Sequence, residues 1–313
     1  MIPAGFDYLR PATVAEALEM ASGHEDFAFL AGGHALLPEW KLGRKGPSTV
    51  IDLGRIDELR GIEVLSDDGA READGNGSAG RAVHIGAMTA SAEIEHSAHI
   101  ARAVPLLPLA ARVISDPLIR NRATLGGSLA EASPRGDWPP VALATDATIH
   151  LRGRDGERVV PARDFFTADG AGAGRKATTL RWGELLTAVT VPAASPLTRS
   201  TYLKRMHPAS GHAMIGVAVI ATFDTSDICS QCRIAITGVG AIATRADRAE
   251  ERLAGSRLTA DVIEAAADVA ADVIAFTGDA FGSAAYLAEL LPVYVNRALT
   301  QIAPQLKSDP RRR

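Results

Sequence analysis

Three groups of residues in this sequence could do chemistry. Gly32-Gly33-His34 and Gly126-Gly127-Ser128 are paired glycine turns. Glycine lets a backbone approach a ligand closely and turn its amides toward an anion, so two such turns could enclose a diphosphate. Paired glycines are also ordinary loop punctuation. Cys229 and Cys232 have redox or half-zinc spacing, but no second ligand pair is evident and they run into the strand-like stretch Arg233 to Ile236. Their spacing therefore reads as incidental. His96 and His99, beside Glu93 and Glu95, could set two ligands on one helical face; without a third ligand they read as a solvated helix end, and no metal is expected.

Other glycine runs fail on context. Gly75 to Gly80 matches G-x-G-x-x-G but follows an acidic stretch and leads into a strand, whereas a dinucleotide fingerprint needs a strand before and a helix after it. Gly170 to Gly174 fails in the same way, and no G-x-x-x-x-G-K-[ST] loop exists. The chain has 313 residues, 47% hydrophobic and 22% charged, with a net charge of -4. That length suggests two domains with a sizeable core, and the charge argues against a general nucleic-acid binder. No apolar run reaches membrane-span length, and two cysteines without a basic-apolar leader lead us to expect a cytoplasmic protein.

The elements that must position the glycine turns can be outlined. Thr13-Val14-Ala15-Glu16 is a capping box for a first helix that ends near Ser22-Gly23. A buried strand over 27–31 precedes the first glycine turn, and a weak helix over 34–41 follows it. Short strands are expected at 48–53, 62–65 and 83–88, with a long hairpin loop over 66–81. Helical patterns cover 90–96 and 103–114, and the segment 123–130 reads as the second glycine turn. Strands at 147–152 and 158–161 close the first half, and the small polar run 169–176 reads as a flexible loop at a domain boundary. Beyond it come strands at 184–191, 200–205, 215–223 and 231–238. Helices at 259–276 and 283–302 follow, the latter kinked by Pro292. The fold class is α+β.

The segments Phe29-Leu30-Ala31-Gly32-Gly33-His34-Ala35-Leu36-Leu37-Pro38 and Ile119-Arg120-Asn121-Arg122-Ala123-Thr124-Leu125-Gly126-Gly127-Ser128-Leu129-Ala130 resemble the two FAD-binding signatures of the medium, flavoprotein subunit of molybdenum hydroxylases. That family includes aerobic carbon monoxide dehydrogenase and bacterial xanthine dehydrogenases. The similarity continues in order through Phe165-Phe166, Gly183-Glu184-Leu185-Leu186, Tyr202-Leu203-Lys204-Arg205 and Ser283-Ala284-Ala285-Tyr286. It implies a two-subdomain FAD-binding domain of the vanillyl-alcohol-oxidase (PCMH) type over 1–176, divided near 57, then a smaller α+β domain over 177–313. It also implies an oxidoreductase whose chemistry is shared. A large partner carries molybdopterin, a small partner carries two [2Fe-2S] clusters, and this chain, with FAD, passes electrons to an acceptor, commonly within a dimer of heterotrimers.

By the same resemblance, the amides from Ala31 to Ala35, flanked by Leu30 and Leu36, and those from Thr124 through Leu125, Gly126 and Gly127 to Ser128 would hold the FAD diphosphate. The Thr124 and Ser128 hydroxyls would add donors. Asp137 would accept from a sugar hydroxyl, Lys204 would lie near the flavin and favour its anionic reduced form, and Ile114, Leu185 or Leu186 would line the ring. The chain departs from the pattern at His212, where relatives often carry an aromatic residue, at the long 169–176 loop and at Pro292. A self-contained flavin oxidoreductase and a flavin-free scaffold subunit are the rival readings.

Overall fold

The computed structural model describes residues 5–42, 46–65, 71–72, 81–168, 177–208 and 210–304. The glycine runs at 75–80 and 170–174, the 169–176 loop and all but 71–72 and 81 of the expected hairpin loop lie outside the described residues.

Three sheets organise the chain. The first is parallel, in the order β1-β3-β2, from β1 (Asp7–Leu9), β2 (Phe27–Leu30) and β3 (Thr49–Asp52). Helix α1 (Val14–Ser22) buries Val14, Ala17, Leu18 and Ala21 against it. Thr13 caps this helix by accepting from the Glu16 amide at 3.1 Å. The Glu16 carboxylate reaches back to the Ala12 amide at 2.7 Å, one residue earlier than a standard capping box. The short α2 (Leu36–Lys41) follows the first glycine pair.

The second sheet is antiparallel, in the order β5-β4-β6-β9-β7-β8. Its strands are β4 (Ile62–Leu65), β5 (Arg71–Glu72), β6 (Ala82–Gly86), β7 (Thr148–Gly153), β8 (Gly156–Pro161) and β9 (Leu185–Pro192). Val83, Ile85, Ile149, Leu151, Val189 and Val191 alternate onto one buried face, as the two-residue strand period requires. Over that face lie α3 (Ser91–His96), α4 (Ala98–Ala103), α5 (Leu106–Ala111), α7 (Leu125–Glu131), α8 (Trp138–Ala144) and α9 (Ala162–Phe165), while α6 (Pro117–Arg120) buries none of its residues.

The third sheet, β10-β11-β12-β13, is antiparallel: β10 (Thr198–Met206), β11 (Ala213–Phe223), β12 (Cys229–Thr237) and β13 (Thr244–Arg245). Helices α10 (Asp247–Leu253), α11 (Ala260–Val269) and α12 (Ala284–Ile302) cover one face, where Val217, Val219, Ile234 and Ile236 meet Leu291, Val295 and Leu299. The opposite face turns Tyr202, Ala218, Ile220 and Ala235 into the core of the second sheet. The third sheet is thus shared between two cores, which clamps it firmly against α5 and α8.

Three expectations need correction. The boundary near 177 falls inside the first domain, because β9 is a central strand between β6 and β7; the chain passes to the third sheet only after Pro192. The second glycine turn is not a loop, since Gly126 and Gly127 lie in the first turn of α7. The helix expected to reach Phe276 stops at Val269. Helix α12 runs to Ile302 as expected, with Pro292 inside it and Leu287, Leu291, Val295, Ala298 and Leu299 buried along one side.

Candidate functional site

The first glycine pair sits where β2 leaves its sheet. Gly33 has φ +81, a backbone conformation that costs glycine little and other residues more, and the Leu37 amide closes the turn onto the Gly33 carbonyl at 3.1 Å. Among the described residues no acceptor lies against the backbone amides from Ala31 to Leu36. A run of unengaged amides on a tight turn is an anion site in waiting.

The second pair behaves differently. Thr124 caps α7, its hydroxyl oxygen accepting from the Gly127 amide at 3.1 Å. The Leu125 amide donates to Thr89 at 3.1 Å, Gly126 to Ala87 at 2.9 Å, and Ser128 to the Thr124 carbonyl at 3.1 Å. The amides from Leu125 to Ser128 are therefore all engaged within the chain, which corrects their expected role as free diphosphate donors. The glycines serve closeness instead. A Cβ on Gly126 would stand 2.5 Å from the Ala87 Cβ, and one on Gly32 would stand 2.2 Å from the Arg122 carbonyl oxygen. The latter contact presses the first turn directly against the second motif.

Between them opens a cleft of about 270 Å³, lined by Ala31, Gly32, Met88, Ala90, Asn121 and Thr124 together with Arg10, Arg60, Arg122 and Asp52. Three guanidinium groups against one carboxylate leave a cationic excess, and that carboxylate is already held by Arg10 at 3.7 Å and by the Tyr8 hydroxyl. Arg122 has no side-chain acceptor among the described residues. Burial lowers the pKa of His34, and the Arg122 charge lowers it further, so the imidazole is neutral at pH 7. Free amides, uncompensated arginine and a space closed only to bulk at Gly32 are what a diphosphate needs, so the residues present fit FAD at this end.

The residues expected at the flavin end form a second cluster. The Asp137 carboxylate lies in the core at the start of α8 without capping it, accepting from Tyr202 at 2.7 Å and from Lys204 Nζ at 2.8 Å. Lys204 also donates to the Val113 carbonyl at 3.1 Å, and its side chain is 3% exposed. Each carboxylate oxygen carries one hydrogen bond from β10. Lys204 is matched by that carboxylate as its counter-ion. Burial raises the Asp137 carboxyl above its ordinary range although Lys204 and Tyr202 pull the other way, and it raises the Tyr202 phenol strongly.

Leu185 and Leu186 are neighbours on β9 and point to opposite faces, Leu185 into the core of the first sheet and Leu186 into that of the second. They cannot both line one ring. Ile114 packs at the edge of the second core, next to Ser115 at φ +40. Ser128 is half-buried, one turn along α7 from Thr124. His212 closes the β10–β11 hairpin, its carbonyl accepting from the His207 amide at 2.7 Å. Cys229 and Cys232 are free, buried thiols in the core beneath α10 to α12, remote in the chain from both glycine pairs. His96 ends α3 whereas His99 lies in α4, so they share no helix.

Sequence reasoning missed Arg10, Asp52 and Arg60, which carry no local motif and meet the glycine turn only through the fold. Arg122 did carry a local signal, because the basic pair Arg120 and Arg122 flanks a glycine motif.

Comparison with known proteins agrees with this geometry. Residues 4–194 match the model of the FAD binding domain in molybdopterin dehydrogenase, and residues 200–302 match that of the CO dehydrogenase flavoprotein C-terminal domain. The carbon monoxide dehydrogenase medium chain of Hydrogenophaga pseudoflava is 35% identical over 96% of this chain and 97% of its own. The nicotine 6-hydroxylase medium subunit of Paenarthrobacter nicotinovorans is 32% identical over 94% and 96%. A solved carbon monoxide dehydrogenase from Hydrogenophaga pseudoflava, lacking the Mo-pyranopterin moiety of its molybdenum cofactor, superposes with a TM-score of 0.85 at 36% identity, covering 96% of this chain and 98% of that one. The chain belongs to the FAD-binding medium subunits of the molybdenum hydroxylases, a family of oxidoreductase complexes.

Proposed function

We propose that this chain is the electron-transfer subunit of a molybdenum hydroxylase, taking electrons from [2Fe-2S] clusters on a small partner and delivering them to an external acceptor. A large partner carries the molybdopterin cofactor and the substrate, and the assembly is a dimer of heterotrimers in the cytoplasm. The observation that carries the proposal is the run of unengaged amides from Ala31 to Leu36, whose first two residues, Ala31 and Gly32, line a cleft with excess arginine charge. FAD held there supplies a carrier able to accept electrons singly and release them singly or in pairs.

The protein's own part is binding and orientation. The amides of the first turn and Arg122 take the diphosphate, the Thr124 and Ser128 side chains stand beside it, and the Tyr202–Asp137–Lys204 link fixes the second domain against the first. Two cysteines, both buried beneath the helices of the second domain, are too few to ligate even one [2Fe-2S] cluster, so the clusters belong to a partner. Medium subunits of similar sequence serve complexes named for carbon monoxide and for nicotine, which supports substrate recognition outside this chain.

The experiment is the visible spectrum of the chain purified alone and after co-expression with its partner subunits, with the released cofactor identified by mass. Flavin bands in both preparations, FAD as the released species and iron-sulfur absorbance only in the complex are expected. A colourless complex would leave the scaffold reading, and substrate turnover by the isolated chain would support the self-contained oxidoreductase.

A further inference from the structure

We propose that Cys229 and Cys232 form a dithiol couple that reduces a small hydroperoxide and closes to a disulfide. The inference goes beyond the flavoprotein reading and does not depend on it.

Spacing alone speaks against the pair. Residues three apart in a regular strand face opposite sides and stand about 10 Å apart, too far for a disulfide. One β-bulge removes both obstacles. Strand β12 pairs Gln231 with Thr222 and Cys229 with Phe223, so Ser230 is an extra residue with no place in the register. The Ser230 hydroxyl donates to the Thr222 carbonyl at 3.0 Å and pins the bulge. With Ser230 set aside, Cys229 opposite Phe223 and Cys232 opposite Ala221 share the face turned toward α10 to α12, in the core that also holds Val219 and Ile234. The two are then separated by two strand steps, about 6.6 Å, within the Cα range that a disulfide spans.

The side chains meet on that face. The Cys232 thiol donates to the Cys229 sulfur, which also accepts from the Gln231 amide. The bond from Cys232 holds the Cys229 pKa below its ordinary value despite burial, while the same bond and then burial push that of Cys232 well above. The two thiols thus divide the work, Cys229 attacking and Cys232 resolving. The bulge opens β12 shortly after the exposed turn Asp224 to Ser226, and Ser230 and Gln231 are themselves exposed. Cys229 and Cys232, 0% and 5% exposed, lie just beneath that end of the sheet. Entry there takes only a local opening, which admits a small uncharged hydroperoxide and not a bulky disulfide.

The step balances with the peroxide as oxidant. The Cys229 thiolate attacks one peroxide oxygen, the O–O bond breaks, a sulfenic acid forms, and the departing hydroxide takes the Cys229 proton to become water. The Cys232 sulfur attacks the sulfenic sulfur, the S–S bond forms, and hydroxide leaves with the Cys232 proton as a second water. Two thiols lose two electrons and one peroxide gains them. A dithiol reductant reopens the couple by exchange.

The test exposes the purified full chain to hydrogen peroxide and follows the peptide that carries both cysteines by mass spectrometry. In the wild type that peptide should lose two hydrogens, both free thiols should disappear, and dithiothreitol should restore them. In Cys232→Ser, dimedone should trap a sulfenic acid at Cys229. In Cys229→Ser, the remaining thiol should react at least about tenfold more slowly, its sulfur lacking thiolate character. Circular dichroism confirms that each variant is folded. Two thiols that persist in the folded wild type, or that pass separately to sulfinic acids without a bridge, overturn the proposal. So does a bridge that forms only once urea has unfolded the chain, or equal rates in the two serine variants.

Discussion

The two glycine pairs look alike in sequence and do opposite things in the fold. At Gly32-Gly33 the turn leaves its amides unengaged, and one glycine carries a positive φ. At Gly126-Gly127 every amide from Leu125 to Ser128 is bonded inside the chain, neither glycine has a positive φ, and the missing side chains let a helix start lie directly on Ala87. One pair leaves backbone amides unengaged; the other removes bulk so that a helix start can be held against Ala87. A double glycine therefore says that a Cβ is unwelcome, and only the hydrogen-bond inventory says why.

Substitutions separate the two roles. Gly32→Ala should have the largest effect on cofactor, because its Cβ would collide with the Arg122 carbonyl at 2.2 Å and prise the two motifs apart. FAD affinity should fall on the order of a hundredfold or more, an overpacking strain of about 3 kcal/mol appearing at the site. Fluorescence titration of the deflavinated protein measures it. Gly126→Ala, against Ala87, should cost about 1 to 3 kcal/mol of folding stability whether or not FAD is present. Calorimetry with and without cofactor checks this, and a loss confined to the FAD-bound form would break the comparison.

Arg122→Gln sharpens the first role. It should weaken FAD binding about tenfold at low ionic strength and progressively less as salt screens the exposed charge. A salt-independent loss would point to packing instead. Glu184→Gln, away from both pairs, should move stability alone. Arg158 grips Glu184 with two 2.7 Å hydrogen bonds and holds its carboxyl below the ordinary range. A lowered folded-state pKa stabilises above the unfolded value of about 4.3 and is lost as pH falls through the folded value. The variant should thus be about 1 kcal/mol less stable near neutrality, with the gap closing in acid. Denaturant titrations at the two pH values would show it, with FAD affinity unchanged.

Much of the fold could be read locally. The Thr13 cap, the strand before the first glycine turn and the alternating strands of the third sheet are written in short-range pattern, and local pattern is what a linear reading sees. The start of α7 was hidden because two glycines are poor helix formers, leaving Thr124 as the sole signal of a cap. The membership of β9 was hidden because an alternating strand does not name its sheet; Gly170 to Gly174 drew the boundary away from the true crossing after Pro192. The site divides in the same way. Its glycine motifs were legible, whereas the Asp137–Lys204 pair spans 67 positions and the arginines of the cleft come from three separate segments.

The central claim is that the first glycine turn presents free amides to the cofactor while the second does not. Amide hydrogen exchange on the deflavinated protein, with and without FAD, tests it most directly. The account predicts rapid exchange across Ala31 to Leu36 that FAD suppresses, beside amides from Leu125 to Ser128 that are protected from the start and change little. Slow exchange in the first turn before FAD is added, or FAD-dependent protection confined to the second motif, would contradict it.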